Sequence, residues 1–135
     1  MPDIFHEIVF HLVIATKDRA PAFTAPIQRL LFNHLRQVCA ELRCELHEIG
    51  GTEDHVHLLL SLQPSHRVDI IADTLKASAA EIINKLSLNI TLEWEAGYGV
   101  LSLRNKDIEV VSEYIRTQKE RHQKGDLIGK MERTK

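Results

Sequence analysis

The segment Asp54-His55-Val56-His57-Leu58-Leu59-Leu60 carries two imidazoles separated by one residue. In an extended segment side chains alternate between faces, so His55 and His57 project together and Val56, Leu58, Leu60 and Leu62 project the other way. Two adjacent imidazoles offer two ligands to a divalent cation. A site with only two protein ligands keeps open positions where water or a phosphate oxygen can bind. The same pair also fits two histidines on a solvated strand face, and this short pattern alone does not choose between the two.

A second pair lies near the other end of the chain. Tyr114 and Gln118 are four residues apart and share one face of a helix. A phenol, with a pKa near ~10, is a poor nucleophile unless a cation or a base assists it. If this helix crosses the free face of the sheet, both side chains point at the histidine pair. The Gln118 amide oxygen then offers a third ligand, and the phenol stands in line with a group bound at the open positions. The competing reading is that Tyr114 packs beside Val111 and Ile115. Downstream, Arg116, Lys119, Arg121 and Lys124 face only Glu120 in charge. They read either as a solvated helix end that complements the macrodipole or as a phosphate track. Cys39, Cys44 and His47 suggest zinc but lack a fourth ligand at motif spacing.

The elements that must position these residues follow from periodicity. Ile4 to Thr16 alternates in part and is rich in β-branched residues, which predicts a strand. Thr24 and Pro26 mark a helix start, and Ile27, Leu30, Leu31, Leu35, Val38 and Leu42 continue it to Arg43. Cys44 to Ile49 and His55 to Leu62 read as two further strands, separated by Gly50 and Gly51. Ser65 caps a second helix running to about Leu86, and Gly97 to Leu103 is a fourth strand. Asn105 caps a last helix to Lys124, stopped by Gly125. The order β-α-β-β-α-β plus one helix predicts an α+β, ferredoxin-like antiparallel sheet with an additional C-terminal helix that carries the tyrosine. Residues 1–125 form one domain, and 126–135 form a polar tail expected to fray.

Composition sets the outer bounds. With 135 residues, 44% hydrophobic and 27% charged, the chain matches one soluble domain. No apolar run approaches the roughly 20 residues that span a bilayer. The opening Met1-Pro2-Asp3 lacks a leader's basic and apolar regions, and two cysteines make no disulfide framework, so a reduced cytoplasmic setting is expected. The formal net charge of -2 argues against a histone-like protein. That value conceals an asymmetry: residues 1–103 carry a net -5 and residues 104–135 a net +3.

Five segments in chain order carry a resemblance. His11-Leu-Val-Ile-Ala-Thr-Lys-Asp-Arg19, Asp54-His55-Val56-His57-Leu58-Leu59, Thr74-Leu75-Lys76-Ala77-Ser78, Trp94-Glu-Ala-Gly97-Tyr98-Gly99 and Glu113-Tyr114-Ile115-Arg116-Thr117-Gln118 together resemble the HUH-type single-tyrosine transposases of the insertion-sequence 200/605 group. The likeness spans nearly the whole chain and makes residues 1–125 a transposase domain. Two departures stand out. Ala77 stands where the family commonly has Gly, and Arg121-His122-Gln123 stands where the helix usually ends with paired His.

The resemblance implies metal-dependent transposition of single-stranded DNA. Mg²⁺ or Mn²⁺ would be held by His55, His57 and Gln118, and Tyr114 would attack to leave a 5′-phosphotyrosine bond and a free 3′-hydroxyl. It implies a homodimer and a DNA partner with hairpin ends from the protein's own element. Lys17, Arg19, Lys76, Arg104, Arg116 and Arg121 are candidate DNA contacts. Two rivals stay open. A non-catalytic or domesticated nucleic-acid-binding relative of the RNA-binding kind would need exposed aromatics to stack bases, and only 5% of residues are aromatic. A small-nucleotide phosphoesterase with two separated His-x-Thr or His-x-Ser motifs would need a repeat that this chain lacks.

Overall fold

The computed structural model describes residues 3–86 and 91–135. Met1 and Pro2, part of the opening segment read above, lie outside them. Strands β1 (Val9–Ala15), β2 (Glu45–Gly51), β3 (His55–Ser61) and β4 (Gly99–Leu103) form one antiparallel sheet in the order β2-β3-β1-β4. Helices α1 (Ala25–Glu41) and α2 (Val68–Lys85) cover one face. This is the ferredoxin-like arrangement.

Alternation along β3 decides what each face carries. Val56, Leu58, Leu60 and Leu62 are buried with Leu31, Leu35, Leu75 and Ala79 of the helices in the main core. On the opposite face, Val9 and Leu59 pack with Val111 and Ile115 in a smaller cluster. Those last two residues belong to α3 (Ile108–Arg116), which lies across the sheet at β2 and β3. Gly50 sits opposite His57 in the register, and a Cβ there would collide with the Ile115 carbonyl. A residue without a side chain is therefore what lets α3 seat beside the histidine strand.

Several boundaries differ from the sequence reading. The first strand starts at Val9, not Ile4; Ile4 and Phe5 are exposed, and pairing with β3 ends at Ser61. The second helix starts at Val68, not at a Ser65 cap. The His66 ring accepts the Gln63 amide and closes a turn through Pro64 and Ser65, while Arg67 is extended. The last helix is two helices, α3 and α4 (Gln118–Lys124). Thr117 between them is non-helical, and its hydroxyl bonds back to the Glu113 carbonyl, a competing bond that bends helices.

The largest departure concerns the polar tail. It does not fray. Gly125 turns the chain in the left-handed region, and residues 126–135 fold back over the sheet face through α5 (Gly129–Glu132). Gly99 leaves room for the Arg133 carbonyl, and Thr134, itself buried, donates to Glu95. Because the tail is polar it carries no hydrophobic periodicity, and its docking rests on hydrogen bonds and a glycine gap. No helix of the described residues is long and apolar enough to cross a membrane.

Candidate active site

The register of β1 and β3 places His55 opposite Ala15 and His57 opposite Val13, with His11 diagonal to His57 on the same face. All three imidazoles are buried. Helix α3 brings Tyr114 over His57, and α4 brings Gln118 and His122 over His55. The two sequence pairs therefore converge: the Gln118 amide oxygen is 3.2 Å from His55 Nε2.

Glu132 enters from the folded-back tail and joins the pieces. Its Oε1 lies 3.3 Å from His55 Nε2, 3.4 Å from His57 Nε2 and 3.2 Å from His122 Nε2. Its Oε2 accepts the Tyr114 hydroxyl at 2.5 Å and the Gln118 amide at 3.3 Å. The Ile128 amide donates to the same tyrosine oxygen at 3.0 Å. Tyr114 is only 2% exposed.

Electrostatics follow from this packing. Burial disfavours a charged His55, but its bonds to Asp54, Glu132 and Gln118 outweigh burial and push it up to about 9. Burial lowers His57, and it lowers His11 to about 3, with His57 adding to the shift. Glu132 is held well below the usual carboxylate range; burial opposes this, and its contacts with His55, His57 and the Tyr114 hydroxyl prevail. Burial and the carboxylate raise the Tyr114 phenol to about 12, so in this state it is a weak nucleophile.

The donors fit a divalent cation. His55, His122 and Glu132 present ligand atoms within 4.8 Å of one another, and the Gln118 amide oxygen lies against them. His57 Nε2 is buried, faces the same space 3.4 Å from Glu132 Oε1, and forms no well-aligned hydrogen bond among the described residues. Each His55 ring nitrogen has its own role: Nδ1 is bonded to Asp54 at 2.7 Å and Thr52 at 3.0 Å, which leaves Nε2 facing the cluster.

A family model described as "Transposase IS200 like" matches residues 4–118. The chain belongs to the IS200-like transposase family. The transposase for insertion sequence element IS200 of Salmonella typhimurium is 25% identical over 125 residues, covering 88% of this chain and 82% of that protein; the Salmonella typhi transposase of the same element matches equally. Among solved structures, a Deinococcus radiodurans R1 protein described as a transposase aligns with a TM-score of 0.71 at 24% identity, over 85% of this chain and 93% of that one. A REP-associated tyrosine transposase bound to a REP hairpin aligns with a TM-score of 0.65 at 14% identity, over 94% and 76%. The last two share the fold.

Within this IS200-like transposase the candidate DNA contacts have varied surroundings. Arg121 lies with its guanidinium 4.8 Å above the Tyr114 ring. Lys17 and Arg19 border a groove with Trp94 and Lys135 and make long pairs with Glu93 and Asp54 at 3.6 Å. Arg104 is paired with Asp107 and Arg116 with Glu48. Lys76 donates to the Glu95 and Gly97 carbonyls at 2.8 and 2.7 Å, so it ties down the loop before β4. The residues absent from the sequence reading of the site are His11, His122 and Glu132. A His122 beside the helix segment known for paired His was the available signal; Glu132 had none.

Proposed function

We propose that this transposase cuts and rejoins single-stranded DNA through a 5′-phosphotyrosine formed on Tyr114, with a divalent cation, Mg²⁺ or Mn²⁺, held by His55, His57 and Gln118. One observation carries the reading. A single carboxylate, Glu132, touches the Tyr114 hydroxyl through one oxygen and faces His55 and His57 through the other. A scissile phosphate must present its oxygens in the same way, one toward the nucleophile's side and one toward the cation's ligands.

When bound, the cation would withdraw charge from the phosphate and favour attack at phosphorus. The chain's own residues do the rest. Tyr114 Oη bonds to phosphorus as the bond to the 3′-oxygen breaks, and the phenolic proton leaves to a base and ends on the 3′-hydroxyl. Glu132 holds that proton's hydrogen bond until the phosphate takes the carboxylate's place. The phosphodiester bond energy is kept in the phosphotyrosine, so a second 3′-hydroxyl can reverse the step and join new ends. Arg121, above the Tyr114 ring, stands near the charge that develops.

The substrate is single-stranded DNA with hairpin ends of the protein's own element, handled in the cytoplasm. A groove of about 370 Å³ bordered by His11, Tyr98, Lys130, Arg133 and Lys135 offers cations and one aromatic ring beside the site, which suits a single strand. A homodimer completes the reading; β2 and β4 are the sheet's two edge strands. Residues 1–125 form the transposase domain of this reading, with 126–135 as its docked tail.

The test is strand cleavage of single-stranded element ends with Mn²⁺ or Mg²⁺. Wild type cleaves the single strand and spares the duplex, and chelation stops it. His55→Ala/His57→Ala falls to background. Full cleavage by that double variant removes the metal assignment.

A further inference from the structure

The two metal-facing histidines are supported differently. His55 Nδ1 meets a carboxylate and a hydroxyl, the ordinary support of a ligating imidazole. Among the described residues His57 Nδ1 meets one group only, the Nε2 of His11 at 2.8 Å, with the two ring planes 9° apart. His11 is 1% exposed and His57 fully buried, so water does not replace this bond.

A neutral imidazole carries one N–H and one lone pair. Two arrangements of the His11–His57 bond are therefore possible. If His11 donates, His57 keeps its proton on Nε2 and has no lone pair to give a cation. If His57 donates from Nδ1, its Nε2 lone pair faces the Glu132 and His55 side of the site. The second arrangement needs His11 neutral with its proton on Nδ1. A cation on His57 Nε2 requires this second arrangement, and the His11 Nε2, stacked 9° from the His57 ring and buried with it, is the acceptor in place for the His57 Nδ1 proton. The strand register fixes the pair: His11 sits diagonal to His57, within reach of a long side chain across two strands.

We propose that His11 is the positioning residue of His57, holding the His57 Nδ1 proton with its own Nε2 so that His57 Nε2 stays free to bind the divalent cation. The inference rests on the metal reading above. His11 offers no ligand to the cation in this arrangement; it sets the tautomer and the ring angle of a residue that does. A change at His11 therefore weakens cation binding without removing a ligand.

The experiment is Mn²⁺ titration by calorimetry of the full-length protein, compared across wild type, His11→Leu, His11→Gln and His55→Ala. Leu removes the acceptor; Gln keeps one at similar reach. His11→Leu should weaken Mn²⁺ binding by roughly 10- to 100-fold, the usual cost of losing such a supporting group, with His11→Gln within about threefold of wild type. Equal binding by His11→Leu and wild type would overturn the proposal, as would a His11→Gln as weak as His11→Leu. His55→Ala separates the two claims. If it binds Mn²⁺ as wild type does, the metal reading falls; if it binds weakly while His11→Leu does not, only the role of His11 falls. A measurement on the wild-type protein covers the case of a misfolded variant. With ¹⁵N-labelled histidine and saturating Zn²⁺ as a diamagnetic probe, ¹H–¹⁵N spectra should show the His57 proton on Nδ1 with a through-hydrogen-bond coupling to His11 Nε2, and absence of that coupling overturns the role of His11. A proton on Nε2 refutes it.

Discussion

Glu132 accepts the hydroxyl proton of Tyr114, eighteen residues upstream, while its other oxygen lies 3.3 Å from His55 Nε2. The folded-back tail thus covers the proposed nucleophile and fills the space in front of the proposed metal ligands. A buried phenol with both its hydrogen and its oxygen engaged cannot be reached by a phosphate. On the proposed mechanism, substrate displaces this carboxylate before Tyr114 attacks.

Removing the carboxylate should therefore speed the first step. Glu132→Ala is expected to raise the initial rate of protein–DNA adduct formation about tenfold, the worth of one charge-assisted hydrogen bond. Gel-shifted adduct over time reads this out. A slower variant would show that the carboxylate is needed as the base or as a ligand.

Gly50 tests the seat of the tyrosine helix. Gly50→Ala puts a methyl against the Ile115 carbonyl and must push α3 off the sheet. A stability loss of about 1–3 kcal/mol is expected in denaturant unfolding, with loss of adduct at temperatures where the protein stays folded. Unchanged stability and activity would mean that α3 is not held there.

Lys76 and Arg121 should separate structural from DNA-facing cations. Lys76→Met loses two carbonyl bonds and should lower the melting temperature while leaving the salt dependence of DNA binding unchanged. Arg121→Ala should reduce the slope of log K against log salt by about one. The reverse pattern would return Lys76 to the DNA surface.

The order of elements was legible because each has a strong period: alternation in β3 and a three-to-four spacing in α1 and α2. The histidine face was legible for the same reason, since Val56, Leu58 and Leu60 had to face the helices. Tyr114 and Gln118 were legible as one helix face, although the helix breaks between them at Thr117, because four residues still span about one turn. Glu132 was not legible. It sits in a segment without apolar periodicity, and its position depends on a chain reversal at Gly125 and on space at Gly99. His11 was visible only as part of a strand; its contact with His57 is a register effect across two strands 46 residues apart.

The central claim is that Tyr114 becomes covalently attached to DNA. Wild type and Tyr114→Phe, incubated with single-stranded element ends and Mn²⁺, can be digested and the DNA-linked peptide sequenced by mass spectrometry. The account predicts one linked peptide in the wild type, with the nucleotide on Tyr114, and none from Tyr114→Phe. An adduct of equal yield from Tyr114→Phe, or a nucleotide mapped to another residue, would contradict it.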